Sequence, residues 1–316
     1  MQADPGARAF QMKTAIVGAG AMGSLFGALL HEAGADVWVL DTRQEHIDAI
    51  NQRGLSVEAA GQTRTVRVPA VTRADEIGPV DLVIVFVKST ATEAAAETCT
   101  RLAGKRGLVL TLQNGLGNAE VIAEHVEAGR IVAGTTAQGA TLLGPGALRH
   151  AGGGTTHLGM WAGGSSDAAR PVVDLFNAAG IETLLVEDVA SLIWNKLLVN
   201  VGINAITALT GITNGELLDL EVTRTLCRMA VQEAESLARA LGIQVMDHAV
   251  EHVFEVARAT GANRSSMGQD VDHHRMTEIR MMNGKIAELA REHGRHAPVN
   301  FALSALIETL QAHYPR

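Results

Sequence analysis

The stretch Lys13-Thr14-Ala15-Ile16-Val17-Gly18-Ala19-Gly20-Ala21-Met22-Gly23 decides how the first half of this chain is read. A short apolar run meets Gly18-x-Gly20-x-x-Gly23, and Ser24 to Ala33 then carries apolar residues at helical spacing. The first glycine permits a tight turn, the second lets backbone approach a pyrophosphate, and the third lets strand and helix pack closely. Ala19, Ala21 and Met22 complete a loop whose N–H groups, at a helix start with partial positive charge, suit a phosphate. Glycine makes up 33 of the 316 residues, so such a turn could arise by composition alone. The flanking strand and helix, with an acid 18 positions after Gly23, favour a dinucleotide site.

That acid is Asp41. Gly34 closes the helix, and Asp36-Val37-Trp38-Val39-Leu40 reads as a second strand ending at Asp41. A carboxylate there accepts hydrogen bonds from adenosine ribose hydroxyls and repels a 2′-phosphate, which favours NAD(H) over NADP(H). Arg43, two residues on, could turn toward a phosphate, and Asp41 could instead cap the next helix.

Further out, Gln44–Gln52 reads as a helix, and Leu55–Glu58 with Thr65–Val68 as a hairpin. Leu82–Val87, Leu108–Leu112 and Ile131–Gly134 are buried-strand candidates, separated by helical stretches at Thr90–Leu102 and Ala119–Glu127. This alternation predicts an α/β fold with a doubly wound sheet. Thr136–Trp161 alternates and is glycine-rich, as expected for antiparallel additions at the sheet's far edge. Asp167–Ala179 and Ile181–Val186 add one helix and one strand. After Glu187 only helical periodicity remains, broken at Gly211, Gly242, Gly261 and Gly294. The domains expected are a disordered extension (1–11), a dinucleotide-binding domain (12–187) and an all-α domain (188–316), with the active site in the cleft between the last two.

Composition narrows the partners. Hydrophobic residues are 47% and charged residues 19%, an ordinary globular mixture. The net charge of −8, with no Lys/Arg-rich run and only ten aromatic residues, argues against nucleic acid. The N-terminus lacks the apolar core of a secretory signal, and the run Val80–Val87 is far short of a membrane span. Two widely separated cysteines, Cys99 and Cys227, fit a reduced compartment. A cytoplasmic protein is expected, with no membrane partner and with homodimerisation left open.

Chemistry enters in the second half. In Ser191–Asn204 an apolar helix is interrupted by Lys196, Asn200 and Asn204, spaced i, i+4, i+8 and so aligned on one face. Burying that stripe against hydrocarbon is costly unless something polar lies opposite, as ligand carboxylate and hydroxyl groups would. A lysine ammonium can polarise a carbonyl and give it a proton as hydride arrives. A solvated stripe is the alternative, but Leu197, Leu198, Val199, Val201 and Ile203 occupy the remaining faces.

The chain resembles the ketopantoate reductases (2-dehydropantoate 2-reductases) of the PanE/ApbA family from Lys13 nearly to its end. The resemblance rests on Gly18–Gly23, Val87-Lys88, Gln113-Asn114-Gly115, Trp194–Asn200, Asn214-Gly215-Glu216-Leu217, Ser265-Ser266-Met267, and Thr277-Glu278-Ile279 followed by Asn283-Gly284. It implies a Rossmann-like first domain and reduction of ketopantoate to (R)-pantoate, a step of pantothenate biosynthesis. It also implies Lys196 as general acid, with Asn200, Asn204 and Asn214 lining the substrate pocket and Ser266 gripping the substrate carboxylate. Lys88 and Asn114 would hold the nicotinamide half, with Asn114 also reaching substrate. Ala140 would give a backbone contact, and Glu278 would reach cofactor or a substrate hydroxyl. Typical members use NADPH and carry a basic residue near the end of the second strand, where Asp41 stands here.

No metal site is expected, because His273-His274 point apart on a helix and His293 with His296 lack a third ligand. Three other readings stay open. One is an NAD-dependent enzyme acting on another branched 2-oxo or 2-hydroxy acid. Another is a 3-hydroxy-acid dehydrogenase of the 6-phosphogluconate dehydrogenase type, against which Ser265-Ser266-Met267 argues. The third is a dinucleotide-binding sensor without turnover.

Overall fold

In the computed structural model, which describes residues 12–162 and 165–315, the apolar run after Lys13 forms β1 (Thr14–Val17), buried at all four positions. The extension expected over residues 1–11 lies outside the described residues. The chain divides into two units, one of residues 12–113 and 118–189, the other of residues 114–117 and 190–315.

The first unit continues with α1 (Ala21–Glu32), β2 (Val37–Leu40), α2 (Gln44–Arg53), β3 (Leu55–Ala59), β4 (Gln62–Val66) and β5 (Ala70–Val71). Then follow β6 (Leu82–Val85), α3 (Thr92–Ala103), β7 (Leu108–Thr111), α4 (Asn118–Ala123) and β8 (Ile131–Thr136). It ends with β9 (Gly139–Gly144), β10 (Ala147–Gly152), β11 (Thr156–Met160), α5 (Arg170–Ala178) and β12 (Thr183–Leu185). Eight strands form the main sheet in the order β12-β11-β8-β7-β6-β1-β2-β5, every pair parallel except β8 with β11.

Alternation along the strands explains the two helical layers. Ile16, Val39, Ile84, Leu110 and Val132 join Phe26 of α1 and Phe176 of α5 in one core. Ala15, Val17, Val83, Val85 and Val109 join Ala96, Cys99 and Leu102 of α3 and Ile122 of α4 in another. Successive strand side chains face opposite ways, so a sheet covered on both sides needs apolar residues at consecutive positions. The chain leaves β1 toward β2 on one side and returns to β6 on the other, so the Gly18 turn sits where strand order reverses.

One expectation is corrected. Of Thr136–Trp161, only the flanking β8 and β11 pair antiparallel in the main sheet. Between them, β9 and β10 form a second sheet with the β3–β4 hairpin, in the order β4-β3-β10-β9. The cause is α1, which is buried from Gly23 to Ala28 and at Leu30, a wider surface than one sheet can cover. Leu55, Val57, Val66 and Leu148 of the second sheet are buried in the same core as Leu25, Phe26 and Leu30.

The second unit contains α6 (Val189–Thr210), α7 (Glu221–Ala240), α8 (Ala249–Ala259), α9 (Ser266–Asp272), α10 (Asn283–Glu292) and α11 (Pro298–Ala312). Among its described residues there is no strand. Helix α6 is long and apolar enough to cross a membrane by length and composition alone. Its Trp194, Leu197, Leu198, Val201 and Ile206 pack with Cys227, Ala230 and Val231 of α7 and Val253 of α8. Those side chains are the unit's core.

Candidate active site

The two units each carry a set of candidate residues. In the first, Gly18 adopts φ +98, and a Cβ on Gly23 would lie 1.9 Å from the Gly18 carbonyl oxygen, so both positions demand glycine. Gly20 differs: nothing stands within 4 Å of where a Cβ would project. Helix α1 starts there with no side-chain cap and no acid in its first turn. Ala19 is buried, whereas Gly20, Ala21 and Met22 are partly exposed. Open space before first-turn N–H groups that have no intrahelical acceptor fits a pyrophosphate. Beside it lies a cavity of about 450 Å³ whose lining includes Gly18, Asp41, Thr42, Arg73, Val87 and Ala94.

Asp41 and Arg43 form a pair. The Arg43 Nε and Nη2 donate to the two Asp41 carboxylate oxygens at 2.9 and 2.8 Å, and the Arg43 amide donates to Oδ1 at 2.9 Å. Burial opposes ionisation of Asp41, but the hydrogen bonds and charge of Arg43 outweigh it and hold the carboxyl below its ordinary value. The Asp41 side chain is only 9% exposed, against 49% for Arg43. Arg43 Nη2 also donates to the Ala19 carbonyl at 2.9 Å, tying the end of β2 to the glycine turn. Asp41 does not cap α2, which has no side-chain cap.

Beneath the turn, His46 Nδ1 accepts the Gly146 amide at 3.1 Å, so its proton sits on Nε2, which donates to Ser24 Oγ at 3.2 Å. The Ser24 hydroxyl in turn donates to Ala19 O at 3.0 Å. Burial, helped by the charge of Arg43, pushes the His46 pKa down and favours this neutral form. Lys88 is exposed just beyond β6, and Gln113 beyond β7 donates to Val87 O and Thr92 Oγ1, both at 2.9 Å. Ala140 lies half-buried on β9, in the second sheet.

In the second unit, residues as far as 164 positions apart in sequence become neighbours in space. Lys196, Asn200 and Asn204 lie on one unbroken helix, α6, with Lys196 and Asn200 partly exposed and Asn204 buried. The segment 114–117 packs against the turn that precedes α10: Leu116 donates its amide to Met281 O at 2.8 Å. Gly115 has φ +85, and a Cβ there would lie 2.2 Å from that same oxygen, which explains the glycine after Asn114. Asn114 Nδ2 thereby donates to Glu278 Oε2 at 3.3 Å. Burial pulls the Lys196 pKa down to about 8, while the charge of Glu278 works to raise it. Lys196, Glu278 and Asn114 therefore form one polar cluster from three distant parts of the sequence.

The other candidates are placed differently. Asn204 Nδ2 approaches Met282 Sδ at 3.7 Å. Asn214 donates through Nδ2 to Thr260 Oγ1 at 2.9 Å, and its buried Oδ1 has no hydrogen-bond partner among the described residues. Ser266 is exposed as the first residue of α9. Among the described residues, no three His, Cys, Asp or Glu side chains are grouped to hold a metal. Sequence reading missed Ser24, His46 and Thr207, and it named Gln113 and Ser265 only within motifs, without a role; all five act on backbone or on other side chains.

Two family models match along nearly the whole chain, ketopantoate reductase PanE/ApbA over residues 14–163 and its C-terminal part over residues 188–311. This chain belongs to the PanE/ApbA ketopantoate reductase family. Among curated relatives, the 2-dehydropantoate 2-reductase of Halobacterium salinarum is 38% identical over 95% of this chain and 99% of its own length. That of Pyrococcus abyssi is 36% identical over 95% and 98%. Among solved structures, a PanE/ApbA family ketopantoate reductase from Ralstonia eutropha has a TM-score of 0.88 at 32% identity, covering 95% of this chain and 99% of that one. A ternary structure of D-mandelate dehydrogenase with NADH and anilino(oxo)acetate has a TM-score of 0.89 at 29% identity, covering 95% and 98%. The same fold is thus found in oxidoreductases named for more than one 2-hydroxy acid.

Proposed function

We propose that this protein reduces 2-dehydropantoate (ketopantoate) to (R)-pantoate for pantothenate synthesis, with a nicotinamide dinucleotide as hydride donor and Lys196 as general acid. The observation that carries the reading is the Lys196–Glu278–Asn114 cluster, in which burial pulls an ammonium down to about 8 beside a carboxylate. An acid of that strength stays mostly protonated near neutrality, yet gives up its proton more readily than an ordinary lysine.

A bound nicotinamide dinucleotide would supply the hydride for the carbonyl carbon. Lys196 donates its proton to the carbonyl oxygen, yielding the secondary alcohol, and is reprotonated from water. Glu278 keeps the Lys196 ammonium charged at rest, and Asn114 orients the Glu278 carboxylate. Asn200, Asn204 and Asn214 line the substrate pocket and Ser266 receives the carboxylate. The glycine turn would hold the pyrophosphate, with Lys88 and Ala140 toward the nicotinamide half. We place this chemistry in the cytoplasm, with which two free, buried cysteines agree.

The expectation of NAD(H) rested on Asp41 accepting from ribose hydroxyls and repelling a 2′-phosphate, with Arg43 as the counterweight. Three N–H groups of Arg43 now occupy it, so its capacity to accept from ribose hydroxyls and to repel a 2′-phosphate is reduced. The half-exposed Arg43 guanidinium suits that phosphate, which supports NADP(H) as the preferred donor. Steady-state rates with ketopantoate and each donor test this: Arg43→Ala should lower the NADPH preference roughly tenfold, and an unchanged ratio removes Arg43 from the role. The likeness to D-mandelate dehydrogenase favours a second reading, oxidation or reduction of another 2-hydroxy/2-oxo acid pair with NAD(H). Turnover of such an acid in place of ketopantoate would select it.

A further inference from the structure

Ser265 and Thr207 form a buried hydroxyl pair that the reaction does not use directly. Ser265 is 5% exposed and Thr207 is fully buried, with their oxygens 2.7 Å apart. Ser265 Oγ accepts the Gly268 amide at 3.0 Å and so caps α9. Thr207 Oγ1 lies 2.9 Å from Ile203 O and 3.2 Å from Asn204 O. Amides only donate and carbonyls only accept, so the direction of the chain is fixed. Gly268 N–H donates to Ser265, Ser265 donates to Thr207, and Thr207 donates to the α6 backbone at Ile203 and Asn204.

The two ends of this chain adjoin two residues assigned to substrate. Ser266 follows Ser265 directly, and Asn204 lies three positions before Thr207 on α6. Arg264 reinforces the same junction, donating through Nη1 to Ile212 O at 2.8 Å, and through Nε and Nη2 to the Asp272 carboxylate at 2.8 Å each.

We propose that Ser265 and Thr207 are positioning residues for the substrate, holding Ser266 at a fixed place relative to Asn204 through a one-directional hydroxyl chain between α9 and α6. The inference rests on the function proposed above, in which Ser266 meets the substrate carboxylate. A threonine hydroxyl returned to the carbonyl four residues earlier tilts a helix locally, so Thr207 also sets the backbone that carries Asn204. Removing either hydroxyl leaves the other buried and short of a partner.

The test compares Ser265→Ala and Thr207→Val with Ser265→Thr and Thr207→Ser, reading Tm, kcat, and KM for ketopantoate and for NADPH separately. Either hydroxyl loss should raise the ketopantoate KM roughly tenfold, because a hydrogen bond to a charged group is misplaced. The KM for NADPH should stay within twofold, and the hydroxyl-retaining variants should behave as wild type. The double variant Ser265→Ala/Thr207→Val should be no worse than the poorer single one, since the hydroxyls act as one unit. A ketopantoate KM within twofold of wild type, or both KM values rising together, overturns the proposal, as does failure of Thr207→Ser to retain function. If Thr207→Val does not fold, Ser265→Ala, which leaves α6 intact, carries the same expectation. A wild type inactive on every 2-oxo acid is a different result: it overturns the function itself, and this inference with it.

Discussion

The two units answer the same problem, holding a polar ligand, with different materials. In the first unit the ligand would meet backbone: a glycine turn, a helix start and open space in front of Gly20. In the second it would meet side chains, with Lys196, Asn200 and Asn204 on α6 and Glu278 and Asn114 brought to them by loops. A site built of backbone is indifferent to many side chains but intolerant of a single Cβ. A site built of side chains is the reverse, because its helices tolerate change wherever the stripe is spared.

That contrast can be broken in order of effect. Lys196→Ala should lower kcat/KM for ketopantoate by about 10²–10⁴-fold while leaving Tm nearly unchanged, because a positioned acid is lost. Near-normal turnover would remove Lys196 from catalysis. Gly23→Ala should act on the fold: its Cβ would stand 1.9 Å from Gly18 O, a backbone atom that cannot move aside. A loss of about 1–3 kcal/mol in thermal or denaturant unfolding is expected, with donor binding lost alongside. Gly20→Ala is the matched control, since nothing lies within 4 Å of its Cβ. Its Tm should be unchanged and only its NADPH KM should rise; equal destabilisation by both alanines would erase the distinction.

The reading of the sequence succeeded where the information is local. Ala15, Ile16 and Val17 alternate between two cores, as a doubly covered strand must, and Lys196, Asn200 and Asn204 share a face by helical period alone. It failed where partners are distant. The alternation in 139–152 specifies a strand but not whether β10 pairs with the main sheet or with β3, and the choice fell to the uncovered surface of α1. The place of Asp41 at the end of β2 is local and was legible, whereas the Arg43 hydrogen bonds that occupy its carboxylate depend on side-chain conformation. Glu278 gave no signal of its own, being one acid on a polar stretch until Asn114 meets it across 164 positions.

The smallest expected effect sharpens the side-chain half. Glu278→Gln removes the charge that raises the Lys196 pKa, so the ammonium should lose its proton at lower pH than in wild type. The alkaline limb of kcat/KM should move to lower pH, with thermal stability little altered; an unmoved limb would separate the two groups.

The most direct measurement is the steady-state rate of NADPH oxidation with ketopantoate as pH is raised through 8. With Lys196 as the acid, kcat/KM should fall progressively above about 8 as its proton is lost. Undiminished turnover well beyond that pH would contradict Lys196 as the proton donor.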